Sequence, residues 1–131
     1  MCAMPLYSIA LTQKNPETFQ DGLSPQAYSH MVLGEDRAEL LSNIIQKESR
    51  WCYTKWNGQY NCPEEPRKYK MPGMSSAYGL CQTMMSLHGD GVVHDFKINP
   101  YAQVDWCIAY ALKRYGSLDE AWQFWQQNKH W

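Results

Sequence analysis

The stretch NPYAQVDWCIAYALKRYG, residues 99 to 116, does most to limit what this chain can fold into. Asn99 is a good N-cap, because its side-chain oxygen can accept from one of the free N–H groups that open a helix. Pro100 suits the first helical position, where its missing N–H costs nothing. Lys113 and Arg114 fall in the last turn, where cations complement the helix dipole, and Gly116 suits the residue that closes a helix. Between these ends, Val104, Ile108, Ala111 and Leu112 form one apolar face. Such a helix has to bury that face against other elements.

Further helices are expected on both sides. In LSPQAYSHMVLG, Ser24 caps, Pro25 takes N1 and Gly34 closes. The next helix opens at Glu35 and Asp36, whose charges favour a helix N-terminus. Leu41, Ile44, Ile45 and Glu48 follow at three- and four-residue spacings and share a face, which puts Glu48 on the core side of the last turn. MSSAYGLCQTMMSLHG predicts a third helix, capped by Ser75 or Ser76. Gly79 inside it costs about 1 kcal/mol against Ala, so something is expected to approach the backbone closely there. At the C-terminus, SLDEAWQFWQQNKHW opens on a Ser117–Glu120 capping box. Residues 52 to 72, rich in Pro, Asn and Gly, predict a long loop or a small β-hairpin, with WNGQ as a type I′ turn candidate. The class is mainly α. One domain is expected at 131 residues, with an arm and short helix at 1–30 and the main body at 31–131.

Composition removes several functions. A formal net charge of -1 gives nucleic-acid binding no electrostatic support. No apolar run approaches the roughly 18 to 20 residues of a membrane span, so no stable membrane insertion is expected. MCAMPLYSIALTQK lacks a basic n-region and contains Pro5, so no secretory signal is read there. The 5 cysteines cannot all pair within one chain. Cys52 and Cys62 flank a loop and could pair outside a reducing cytosol. No CxxC or neighbouring CxxH supports a zinc site, and neither a metal nor a cofactor is expected. The 6 Trp and 9 Tyr against 3 Phe suit surfaces that are both apolar and hydrogen-bonding, such as a sugar-binding cleft or a core rim.

Three motifs occur in order: ESRW at a helix end, SSAYGLCQTM, and AWQFWQQN near the C-terminus. Together, over about residues 35 to 131, they resemble the lysozyme-like superfamily, in particular lytic transglycosylase and related phage cell-wall lysis domains. The resemblance implies a single lysozyme-like domain. Glu48 followed by Ser49 corresponds to the family's catalytic Glu-Ser. Gly79–Leu80–Cys81–Gln82 corresponds to a cleft-lining G-L-x-Q motif. Ala121 through Trp125 and Gln126 correspond to an A-x-x-Y-N-like motif facing the acid, with Trp125 in the tyrosine position and Gln126 in the asparagine position. Glu48 is thus the expected catalytic residue, and Ser49, Tyr78, Gln82, Trp125 and Gln126 are the expected substrate-binding residues.

The chemistry fits these residue types. Cleaving a β-1,4 glycosidic bond requires protonating the leaving oxygen, and a carboxyl against an apolar wall keeps its proton because desolvation disfavours the charged form. Most glycosidases pair two carboxylates. Glu64 and Glu65 read as solvated, while Asp90 and Asp95 could just reach the cleft. A single acid agrees with a transglycosylase, as the resemblance implies, with 1,6-anhydro ends as product. The rivals are a hydrolytic muramidase using Asp90 or Asp95, and a virion structural or wall-binding protein with little turnover. Gln82 either touches substrate or bonds the backbone near Gly79. Tyr78 could instead be core, and Cys81 reads as a small buried residue. Bacterial peptidoglycan strands are the expected partner, with a virion or phage lysis system as the expected route from cytoplasm to wall.

Overall fold

The computed structural model describes residues 22–131. The expected arm therefore lies outside the described residues, apart from its C-terminal end. The fold is mainly α, with five α-helices and one two-stranded antiparallel sheet among the described residues. The helices are α1 (Pro25–Leu33), α2 (Glu35–Glu48), α3 (Met85–His88), α4 (Pro100–Tyr115) and α5 (Leu118–Asn128). Strands β1 (Ala77–Tyr78) and β2 (Thr83–Met84) pair in register Ala77 with Met84 and Tyr78 with Thr83. Among the described residues, no helix is long and apolar enough to cross a membrane.

The helix ends follow the expected caps. Ser24 Oγ accepts from Ala27 N–H at 3.0 Å, and Asn99 Oδ1 accepts from Ala102 N–H at 3.0 Å. Ser117 Oγ accepts from Glu120 N–H at 3.1 Å, and Gly116 closes α4 at a φ of 90°. The boundary expected at residues 30/31 falls inside α1, which packs on both α2 and α4. Tyr28 ties that packing down: its ring meets Tyr101 edge-on at 4.6 Å, and its hydroxyl donates to Asp105 at 2.8 Å.

The main core joins Leu41, Ile44 and Ile45 of α2 to Val104, Ile108 and Ala111 of α4 and to Leu118 and Ala121 of α5. Burying an aliphatic side chain of this kind stabilises by about 1.5–3 kcal/mol. Leu112 departs from the expected face: it is 49% exposed, and Cys107 is buried in the core cluster.

The segment expected as a third helix is the main correction. Residues 77–84 form the hairpin, and only Met85–His88 are helical. The cause is local backbone geometry. Gly79 has a φ of 82° and Gln82 a φ of 51°, so the chain turns sharply where a helix would have continued. The close approach expected at Gly79 is there. A Cβ at this position would meet the Gln103 amide carbon at 2.8 Å. Ser76 caps no long helix; its Oγ accepts from Ser86 N–H at 2.9 Å.

Residues 52–72 form the long loop, with no hairpin of their own. Gln59 N–H closes a turn onto Trp56 O at 3.1 Å, but of its two central residues only Gly58 has positive φ. A type I′ turn requires it at both. The loop pairs with the hairpin instead, through a Trp56–Tyr78 bridge. Asn57 N–H donates to Ala77 O at 2.8 Å, and Gly79 N–H to Lys55 O at 2.9 Å. Trp56 and Tyr78 build a second, smaller core with Phe96 and Ala102, capped by the Lys97 ammonium 4.6 Å from the Trp56 ring centre.

Four cysteines are paired. Cys52–Cys62 clips the loop, with Cα atoms 5.6 Å apart, and Cys81–Cys107 ties the hairpin turn to α4, with Cα atoms 6.0 Å apart. Cys81 is buried, as expected, and is also half of a crosslink that spacing gave no reason to expect. Cys2 lies outside the described residues.

Candidate active site

Glu48 is the last residue of α2, and the backbone beyond it is forced to turn. Arg50 and Trp51 both lie in the left-handed region, with φ of 54° and 64°. Two consecutive non-glycine residues there are uncommon, at a cost of order 1–3 kcal/mol each. Arg50 N–H donates to Ile45 O at 3.1 Å and to Gln46 O at 3.2 Å, which holds the turn. Ser49 is buried, and its Oγ donates to Leu80 O at 2.7 Å. That bond fastens the end of α2 to the hairpin turn. Ser49 therefore positions Glu48; its hydroxyl proton is committed to that bond, and the residue is one of those lining the groove beside the acid.

The turn opens a groove of about 650 Å³. One side is the end of α2, the other the loop around Lys55, Asn57 and Asn61, and Gln82 closes it from the hairpin. Among the described residues that line it, Glu48 is the one acid. Gln82 is the third non-glycine residue of this groove with positive φ. Its Nε2 donates to Gly79 O at 3.0 Å and Lys55 O at 3.2 Å, so it staples the hairpin turn to the opposite loop. The backbone-bonding alternative for Gln82 is realised, and the residue still lines the groove.

Trp125 reaches Glu48 from α5. Its indole N–H donates to Glu48 Oε2 at 2.6 Å, and its ring stacks on Trp122 at 5.9 Å. Trp125 thus places a hydrogen-bond donor on the acid. The loop faces Glu48 across the groove, and Trp125 touches the carboxylate without being one of the lining residues. Burial raises the Glu48 pKa above the ordinary glutamate value. The Trp125 hydrogen bond, and more weakly the nearby His130, pull it back without cancelling the rise.

No family model matches the chain, and neither a curated protein nor a solved structure matches it.

Two expected substrate residues stand elsewhere. Tyr78 is fully buried in the second core, its hydroxyl donating to Lys97 O at 2.8 Å, and burial strongly raises its pKa. β1 turns it inward, so the core alternative for Tyr78 is the one realised. Gln126 is exposed on α5 and is not a lining residue, because the α5 face that meets Glu48 is the one carrying Trp125. Asp90 is exposed and Asp95 accepts from Asn99 Nδ2 at 3.0 Å; neither lines the groove. Among the described residues, no group of three His, Cys, Asp or Glu could hold a metal.

Gln103 and Tyr115 stand out only once the fold is seen. Gln103 is buried; its Oε1 accepts from Leu80 N–H at 2.8 Å and its Nε2 donates to Tyr53 O at 3.0 Å and Phe96 O at 2.9 Å. It holds the hairpin turn, the loop and the segment before α4 together. The signal in the sequence was a glutamine in the apolar stretch of the NP-capped helix, four residues after Asn99. Tyr115, in the last turn of α4, has a buried hydroxyl without a hydrogen-bond partner among the described residues. Burial raises its pKa, with Arg114 opposing the rise and Tyr110 and Glu48 adding to it.

Proposed function

We propose that this chain cleaves the β-1,4 bond between N-acetylmuramic acid and N-acetylglucosamine in peptidoglycan, as a lytic transglycosylase with Glu48 as its one acid and base. The observation that carries the reading is Glu48 itself: a carboxyl with a raised pKa, hydrogen-bonded by Trp125, and the one acid among the described residues of its groove. A carboxyl that keeps its proton can give it to the leaving glycosidic oxygen. The carboxylate left behind then takes the proton from the muramyl 6-hydroxyl as that oxygen closes on C1. The 1,6-anhydro end forms with no water added and Glu48 regains its proton. The substrate's own N-acetyl group assists departure of the leaving sugar.

The arrangement of the carboxylates supports this over hydrolysis, since neither Asp90 nor Asp95 lines the groove to position a water. Strained backbone at Arg50, Trp51 and Gln82 supports a functional site over an ordinary helix end, because such strain concentrates where a geometry is needed. The two disulfides support a working place outside the reducing cytosol, at the cell wall.

Mass spectrometry of digested peptidoglycan is the test. Products with 1,6-anhydro ends are expected. Reducing ends mean a muramidase, and intact strands that retain the protein mean a wall-binding or virion structural protein.

A further inference from the structure

The groove has a charge opposite to that of the chain. The sequence carries a formal charge of -1, yet the groove lining holds three cations, Lys47, Arg50 and Lys55, against Glu48. Glu48 can offset at most one of those three charges, so the groove carries a net positive lining. Among the described residues no carboxylate is paired with any of the three. Two of them stand on backbone that other contacts fix. Arg50 sits in the left-handed turn held by its two bonds to the end of α2. Lys55 offers its carbonyl to both Gly79 N–H and Gln82 Nε2, so the hairpin sets its position. Cations rooted on both sides of a groove attract an anionic ligand and discriminate against a neutral one.

Resting on the proposed cleavage of peptidoglycan, we propose that the groove recognises carboxylates carried beside the glycan, with Arg50 and Lys55 as its specificity-determining residues. Free carboxylates of the peptide stems meet that description. A neutral β-1,4 glycan, or a strand whose stems are amidated, gives these cations no partner. Phosphodiester polymers attached to walls share the negative charge, and the experiment separates them.

Wild-type protein is sedimented with purified walls in three forms: untreated, stripped of phosphodiester polymers, and stripped with carboxylates then converted to amides. Each is run at low salt and at about 0.5 M, where the Debye length falls to a few ångströms. Retention is expected to survive stripping, to fall on amidation, and to fall with salt. Arg50→Gln and Lys55→Gln, each checked for native circular dichroism, are each expected to weaken retention on stripped walls about 2- to 5-fold at low salt, the scale of one exposed charge contact. On amidated walls they should match wild type. Equal retention on stripped and amidated walls overturns the proposal, as do two folded variants that bind like wild type. Loss of retention on stripping identifies phosphate as the ligand and also overturns it. Soluble products are scored separately. Retention that depends on carboxylates without product release upholds charge recognition and removes the glycosidase reading. Product release with charge-independent retention does the reverse.

Discussion

Replacing Trp125 by phenylalanine separates the two effects that tune Glu48. The ring shields the carboxyl from water and raises its pKa, while the indole N–H, 2.6 Å from Oε2, stabilises the charged form and lowers it. Phenylalanine keeps most of the shielding and deletes the donor, so the pKa should rise further. A hydrogen bond to a charged group contributes about 1.5–3 kcal/mol. At about 1.4 kcal/mol per pKa unit, its loss would move Glu48 up by about 1–2 units. Glu48 is only partly buried, so water can replace some of the lost donation, and the lower end, about 1 unit, is expected.

A carbon-13 NMR titration of the glutamate carboxyls reads this directly, with Glu48→Gln identifying the resonance. The alkaline limb of wall cleavage should move the same way. Stability adds an independent sign. A carboxyl whose folded pKa lies above its unfolded value contributes stability fully present below the unfolded pKa and lost as pH rises through the folded pKa. The loss should be larger in Trp125→Phe, so the gap between variant and wild type should widen across that window. An unchanged or lower Glu48 pKa would refute the reasoning and reduce Trp125 to a packing residue.

Glu48→Gln should lose wall clearing by at least about 10²-fold, the lower end of a general acid's usual contribution, with circular dichroism unchanged. It should also unfold at no lower temperature than wild type, since the amide oxygen can still accept from Trp125. Gln103→Leu should cost at least about 2 kcal/mol in urea unfolding, because two buried backbone groups and one part-buried carbonyl lose their partner, at about 1–3 kcal/mol for each buried group. Tyr115→Phe should stabilise by about 1 kcal/mol by removing a buried, unpartnered hydroxyl; a lower melting temperature would mean that the hydroxyl is bonded after all. Peptide mapping of oxidised, non-reduced protein should find both Cys52–Cys62 and Cys81–Cys107, and reduction should cost about 3 kcal/mol or more. Free thiols at these positions in folded protein would contradict the pairing.

What was legible in this sequence was what depends on near neighbours. Asn99, Pro100 and Gly116 mark their helix because a cap and its helix are adjacent in the chain. Leu41, Ile44 and Ile45 point to the core, and Glu48 to its edge, because a 3.6-residue period is a local property. The hairpin at 77–84 was not legible. Its residues are compatible with a helix, and it forms through bonds to Lys55, Asn57 and Gln103, each about 20 or more residues away. Tyr78 was misplaced for the same reason: the strand pairing that turns it into the second core is set by Trp56 and Thr83 and not by its chain neighbours.

Gln103 shows how far that non-local control extends. Residue type alone made it an anomaly in an apolar stretch. In the fold, its amide occupies the space where a side chain on residue 79 would stand, which is why glycine is needed there. The same amide bonds Leu80 N–H, while Leu80 O accepts from Ser49 beside the acid. Glu48 is therefore held at its groove through Ser49, Leu80 and Gln103. Disturbing Gln103 should move the carboxyl and not merely loosen the core. If so, Gln103→Leu should shift the Glu48 resonance in the NMR titration even under conditions where the protein is fully folded. A Glu48 titration identical to wild type in folded Gln103→Leu would show that the acid's position depends on α2 and Trp125 alone.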